Sequence, residues 1–345
     1  MNKPVLNRQA PLSIIDANGK PVFGQFDTIP RELNIERFDY RTSMDNPANR
    51  WQQHFHYKQF QFVSLVTANY VVGIAIADIR YLGSAFCYVY NISDDSLEEQ
   101  SWLRPLSVGK LTTRSPYQGQ THIANRQIQF TINKGEWQVD IDTEQVKAKL
   151  HLTSRDESQP LSMTTQTGYS GWTYTQKHNA LSVNGDLTIN GGEVDLTHAL
   201  GGYDFSAGYM RRETSWRWAS INTHLIDQQA TLYPLGLNLA AGVNETGTCE
   251  NALWVQGTKH PLPAVYFEFD RDNISQPWQI HSEDRRIDLT FTPINNRSEK
   301  LNFILLKSNF RQFIGYFSGS IKDNDGVVHY LDQILGLTED HFARW

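Results

Sequence analysis

Cysteine is nearly missing from this chain: Cys87 and Cys249 are the only two in 345 residues. So few thiols, so far apart, exclude a disulfide framework and any metal site built on Cys spacing. Runs of Lys and Arg are also missing, and the net charge is −6. A nucleic-acid binder needs a basic surface to displace counterions from phosphate, so that class is excluded. No apolar run reaches the length of a transmembrane helix; the stretch from Tyr70 to Ala77 is only strand-sized. The start, Met1 to Arg8, has no apolar stretch after its first charge, so no secretory leader is expected. These absences together predict a cytoplasmic protein with free thiols, no integral membrane segment and no nucleic-acid partner.

The common catalytic signatures are absent too. There is no phosphate-binding loop ending in Gly-Lys-Ser/Thr, no Gly-x-Gly-x-x-Gly opening a helix, and no Gly-x-Ser-x-Gly elbow. No cofactor and no metal is implied. His54 and His56, read as part of a strand, would share a face as a metal pair does, but no third ligand accompanies them.

What the chain does have is aromatics and a period of two. Trp, Tyr and Phe make up 12% of it, and apolar residues 39% against 20% charged, which fits a globular protein with large sheets. Ile128, Phe130 and Ile132 alternate with polar neighbours. So do Trp137, Val139 and Ile141, then Leu150 and Leu152, and later Ile287, Leu289 and Phe291. Each reads as a strand with one wet face. The segments around Phe60, Phe62 and Ser64, and around Phe86, Tyr88 and Tyr90, read as buried on both faces. Lys134-Gly135, Asn184-Gly185, Asn190-Gly191 and Asp325-Gly326 read as hairpin turns. Helix signals are confined to Asp94–Leu103 and Tyr330–Leu337. The length suits two domains, divided near residues 195–200: an extended arm over 1–35, one domain over 36–197 and another over 198–345. The fold class is all-β, two antiparallel barrels packed tightly together, because closure removes unpaired edges.

Three clusters carry candidate chemistry. On a strand, Arg212, Thr214, Trp216 and Trp218 fall on one face, mixing a guanidinium with two indoles. Asp204 is the natural partner for Arg212 if the Arg is structural. Asn238, Asn244, Glu245, Glu250 and Asn251 form a polar cluster in a partly apolar stretch. A Glu in such a place can serve as a general acid. Tyr169, Trp172, Tyr174 and Lys177 form the third, a Lys near Tyr hydroxyls.

Several stretches together resemble the domain-of-unknown-function family numbered 2804. They are Arg114-Ser115-Pro116-Tyr117, Tyr174-Thr175-Gln176-Lys177, Val183 to Leu187, Gly208 to Ala219, Glu250 to Trp254, and the ending Ala343-Arg344-Trp345. That family is distantly similar to the carotenoid hydratases, in which an acid-His pair stands just before the Trp of the last shared strand. Here that stretch reads Glu213-Thr214-Ser215-Trp216, without the His. The resemblance implies two lipocalin-like domains with a pocket in or between the barrels. The partner implied is an apolar or lipid-like small molecule. The function implied is a cofactor-independent hydratase, isomerase or cyclase; the alternative is a non-catalytic lipid or metabolite carrier. Arg212 and Glu250 are the expected polarising and acid groups. Trp216, Trp218, Asn238, Asn251, Tyr174, Lys177 and Asp204 are the expected ligand-binding residues.

Overall fold

A computed structural model describes residues 8–106, 110–155, 158–227, 229–243, 247–303 and 306–345. The protein is nearly all β: two curled, antiparallel, half-barrel sheets packed together. A thirteen-stranded sheet runs from the edge strand Ser96–Pro105 through Leu82–Asn91, Tyr70–Asp78, Lys58–Val66, Leu200–Gly208 and Gly171–Ile189 to Val146–Thr153 and beyond. In a nine-stranded sheet Glu213–Ile226 is flanked by Leu232–Ala241 and by the central strand Val328–Arg344, with Lys307–Lys322 and Ile287–Asn302 following outward. The chain leaves the first sheet after Gly208 and enters the second at Glu213. The strand Leu200–Gly208 therefore pairs within the first sheet.

Alternation explains where each face goes. In Lys58–Val66, Val63 and Leu65 enter the core of the first half-barrel, while Phe60 and Phe62 face the second sheet. In Glu213–Ile226, Ala219 and Ile221 enter the second core, while Trp216 and Trp218 face the first sheet. These strands are buried on both faces because one face meets the strand's own barrel core and the other meets its neighbour. Phe62 meets Trp218 edge to face, with ring centroids 5.7 Å apart. Trp137, Phe130, Trp172 and Phe205 fill the first core, and Trp278, Phe291 and Phe313 the second.

Polar pins hold the sheets together. The Asn179 side chain donates to Ser220 Oγ at 2.7 Å and to the carbonyls of Leu237 and Ile221. Asn222 Oδ1 accepts the Ala180 N–H at 2.7 Å. The long strand Gly171–Ile189 bulges here, with Ala180 at φ 56°. Gly236 lies opposite, and a Cβ on it would stand 2.6 Å from Asn179 Cβ; only glycine lets the two backbones approach so closely.

Four expectations about local structure are corrected. Ser96–Pro105 is an edge strand rather than a helix, paired along its length with Leu82–Asn91. Tyr330–Leu337 lies within the strand Val328–Arg344. In both, ladder pairing overrides a local helical preference. Asn184-Gly185 lies inside Gly171–Ile189 and pairs with His151 and Leu150, whereas Asn190-Gly191 is the turn. Finally, Arg50–His56 is a short helix, closed by a capping box between Asn49 and Gln52. Residues two apart on a helix do not share a face, so His54 and His56 diverge; His56 Nδ1 is 2.8 Å from the Tyr40 hydroxyl.

Candidate functional site

Among the described residues, an aromatic-walled cavity lies outside the two half-barrel cores. It opens between the sheets, with about 200 Å³ of room for the centres of water-sized molecules. Phe60, Phe62 and Phe86 wall it from the first sheet; Trp216, Trp218 and Phe310 wall it from the second. The reason is parity: large side chains pack both cores, and the opposite faces leave a gap where two curved sheets meet. Two polar clusters, besides Lys58 and Arg297, interrupt the apolar walls.

The first is built on Lys177. The alternation of Gly171–Ile189 sends Thr173 and Lys177 to the cavity and Trp172 and Tyr174 into the barrel core. Lys177 Nζ lies 2.5 Å from Asp204 Oδ2 and 3.5 Å from Glu250 Oε2. Ser206 donates to the other Asp204 oxygen at 2.8 Å. Burial opposes the Lys177 charge most strongly, but Asp204 and Glu250 outweigh it and hold the pKa above the ordinary lysine value. Two carboxylates thus face one ammonium. Lys177 also lies 5.9 Å from the Trp218 ring.

Asn238 ties this group to the indole wall. Its Oδ1 accepts the Trp218 indole N–H at 2.7 Å, and its Nδ2 donates to the Glu250 carbonyl at 2.6 Å. Asn251 acts on the backbone instead. Its side-chain amide bonds the Ala240 N–H and the Pro263 carbonyl, which anchors the segment carrying Glu250. Tyr174 stays inside the first barrel, bonded to Ser162 and Gln176. Tyr169 is exposed and donates to Asp45. Asn244 and Glu245 lie outside the described residues.

Arg212 is placed elsewhere. It precedes the strand Glu213–Ile226, is exposed, and does not line the cavity; Lys177 takes the Asp204 partnership expected of it. Outside the strand, alternation no longer aims a side chain.

The second polar group was not visible to sequence reading. Glu339 and His341 lie two apart on Val328–Arg344 and both face the cavity, as does Ser308 on the neighbouring strand. Glu339 Oε1 accepts the Trp216 indole N–H at 2.7 Å, and Gln312 reaches its other oxygen at 3.3 Å. His341 packs against Trp216 at a tilt, with centroids 4.2 Å apart and the planes at 55°. The spacing Glu339-x-His341 was the available signal, and the helical reading of the preceding residues hid it. Arg297, also lining the cavity, is clamped by both oxygens of Glu99 and lies over Phe86 with 3.7 Å to the ring centroid. Burial would raise the Glu99 carboxyl, but Arg297 holds it below the usual range.

Among the described residues, His260, Asp323 and Asp325, which do not line the cavity, bring their ligand atoms within 4.8 Å of one another. Asp323 is already occupied there by the Asp325 and Val327 amides and by His329. No helix among the described residues is long and apolar enough to cross a membrane.

The sequence matches, over residues 7–345, the family described as Domain of unknown function (DUF2804). No curated protein matches it. Among solved structures, kievitone hydratase from Nectria haematococca is similar at 12% identity and a TM-score of 0.43, covering 83% of this chain and 88% of that one. A provisionally assigned AttH from Nitrosomonas europaea is similar at 10% identity and a TM-score of 0.42, covering 88% of this chain and 98% of that one.

Proposed function

This chain belongs to the family described as Domain of unknown function (DUF2804), and on that footing we propose that it binds an apolar small molecule between its two sheets and moves a proton on it. The observation that carries the reading is the cavity itself: aromatic walls interrupted by a buried, ion-paired acid group. Apolar walls with few, fixed polar groups are what a small-molecule site requires. Glu250 is the proton donor of this reading. Lys177 and Asp204 hold it in place, and Trp216 and Trp218 form the wall against which an unsaturated chain lies. The proton goes to one carbon of a double bond. Water then adds to the other carbon and returns a proton to the carboxylate, or the neighbouring carbon gives one up. Hydration and isomerisation share this first step, and neither needs a cofactor.

A carrier is the second reading, favoured by the close Lys177–Asp204 pair, which also suits a purely structural clamp. The two separate by experiment. Protein purified from its own host is examined by native mass spectrometry, and the retained molecule is incubated in heavy water with fresh protein. Deuterium on its carbon skeleton with wild type, and none with Glu250→Gln, supports the enzyme. Recovery unchanged with both supports the carrier. Finding no retained molecule and no binding of a neutral lipophilic dye overturns both.

A further inference from the structure

The second polar group of the cavity has a geometry of its own. Ser308 Oγ lies 3.0 Å from His341 Nε2. On the far side of the imidazole, Nδ1 is buried without a hydrogen-bond partner among the described residues, and Glu339 Oε1 stands 3.7 Å from it. This arrangement bears on the tautomer of the neutral ring. If Nδ1 carried a lone pair, that lone pair would face a buried carboxylate. If it carries the proton, an N–H faces the carboxylate and is attracted to it. In the neutral ring this favours the proton on Nδ1, which leaves Nε2 as the acceptor for the Ser308 hydroxyl.

We infer that Ser308, His341 and Glu339 form a nucleophile, base and orienting carboxylate that transfer the acyl group of a neutral, apolar ester to Ser308. The inference rests on the reading that the cavity admits an apolar molecule. It assigns to the opposite polar group a chemistry that proton transfer by Glu250 does not use. The constellation is recognised by its geometry and roles, since unrelated folds carry it in different chain orders. Trp216 tilted against the imidazole and Phe310 set edge-on to it, 4.9 Å away, hold the ring in one orientation. The Trp216 indole N–H keeps Glu339 from turning away. The 3.7 Å gap is longer than a hydrogen bond, and such contacts tighten when substrate excludes water.

In the first step Ser308 Oγ bonds to the ester carbonyl carbon, its proton passes to His341 Nε2, and the carbonyl electron pair moves to oxygen. Collapse restores the C=O bond and breaks the bond to the alcohol oxygen, which leaves with the proton from Nε2. Water then attacks the acyl-serine while His341 takes one of its protons. Collapse releases the carboxylic acid and returns the hydrogen to Ser308. Leu301, Ala343 and Trp345, which line the cavity beside Ser308, form the seat of the acyl chain.

The test uses the full chain and two probes. Diethyl p-nitrophenyl phosphate reports a nucleophilic serine through released p-nitrophenolate and a modified peptide; Nile red reports the apolar cavity. Wild type is expected to carry the label on Ser308. Ser308→Ala is expected to carry none, and Ser308→Cys to restore attack on a p-nitrophenyl ester. His341→Asn is expected to slow labelling by about a hundredfold or more. Glu339 acts through His341, so Glu339→Gln is expected to lower the saturating labelling rate by about tenfold and leave the half-saturating probe concentration unchanged. If Nile red binds and Ser308 stays unlabelled, the inference is overturned while the cavity reading stands. If Ser308 is labelled and Nile red does not bind, the relay is supported and the apolar reading of the cavity falls. If neither occurs, both are overturned.

Discussion

Lys58 shows what one buried charge does to a fold. It lies on the cavity wall, donating to the Phe55 and Ile79 carbonyls. Burial, opposed by Asp78 and reinforced by Arg80, pushes its pKa down to about 7 from 10.5. Between those values the unfolded chain holds a proton that the folded chain gives up. Stability therefore rises with pH across that window, and the cost is complete below it. Lys58→Met should thus gain stability over wild type near pH 6. The gain is a few kcal/mol at most, since each tenfold change in proton affinity is about 1.4 kcal/mol. It should vanish near pH 10, where the lost carbonyl contacts remain. Urea midpoints at both pH values check this; a pH-independent difference would show that Lys58 is not desolvated. Trp218 makes a second residue-scale case. Trp218→Phe keeps most of the wall but orphans Asn238 Oδ1, a loss of about 1–3 kcal/mol readable by chemical denaturation. Trp218→Ala should in addition weaken binding of neutral apolar dyes.

At the scale of the element, the bulge at Ala180 governs how closely the sheets approach. Asn179 can reach three groups of the second sheet only because Gly236 has no side chain. Gly236→Ala sets a Cβ against Asn179 Cβ and against the Ala180 backbone nitrogen at 2.8 Å. The expected outcome is a destabilisation of about 1–3 kcal/mol, the usual range for overpacking, with a lower thermal midpoint and unchanged sheet content by circular dichroism. A variant as stable as wild type would mean that the two sheets can slide apart locally without loss.

At the scale of the whole molecule, the two thiols report on the folded state separately. Burial, with the Glu99 charge adding to it, pushes the Cys87 thiol up to about 12, while Cys249 is only partly buried. A thiol reagent should modify Cys249 in the native protein and reach Cys87 only on unfolding. Denatured, unreduced protein should yield two reactive groups. Rapid native reaction of Cys87 would mean that the strand Leu82–Asn91 opens far more readily than its place in the first core allows.

Much of the fold follows from local alternation, and that part was legible. A side chain on a strand can point only to one of two faces, so the order of Phe60, Val63 and Leu65, or of Trp216, Trp218, Ala219 and Ile221, already divides core from opposite face. The same rule placed Trp216 and Trp218 side by side before any partner was known. It did not say what covers the second face, because alternation carries no information across distance in sequence. Only the packing of one half-barrel on the other set Lys177 and Asp204 beside Glu250, and only the pairing of Lys307–Lys322 with Val328–Arg344 within the second sheet brought Ser308 within 3.0 Å of His341. Asn184-Gly185 makes the same point for turns: the dipeptide permits a hairpin, but pairing with a neighbouring strand drew it into a ladder. The sequence by itself determined the strands that alternate, their two faces and the aromatic wall; the strands at Ser96–Pro105 and Val328–Arg344 were settled by ladder pairing. The position of the cavity, between the sheets instead of inside either barrel, was decided by tertiary structure, because the volume left over depends on how two curved surfaces meet.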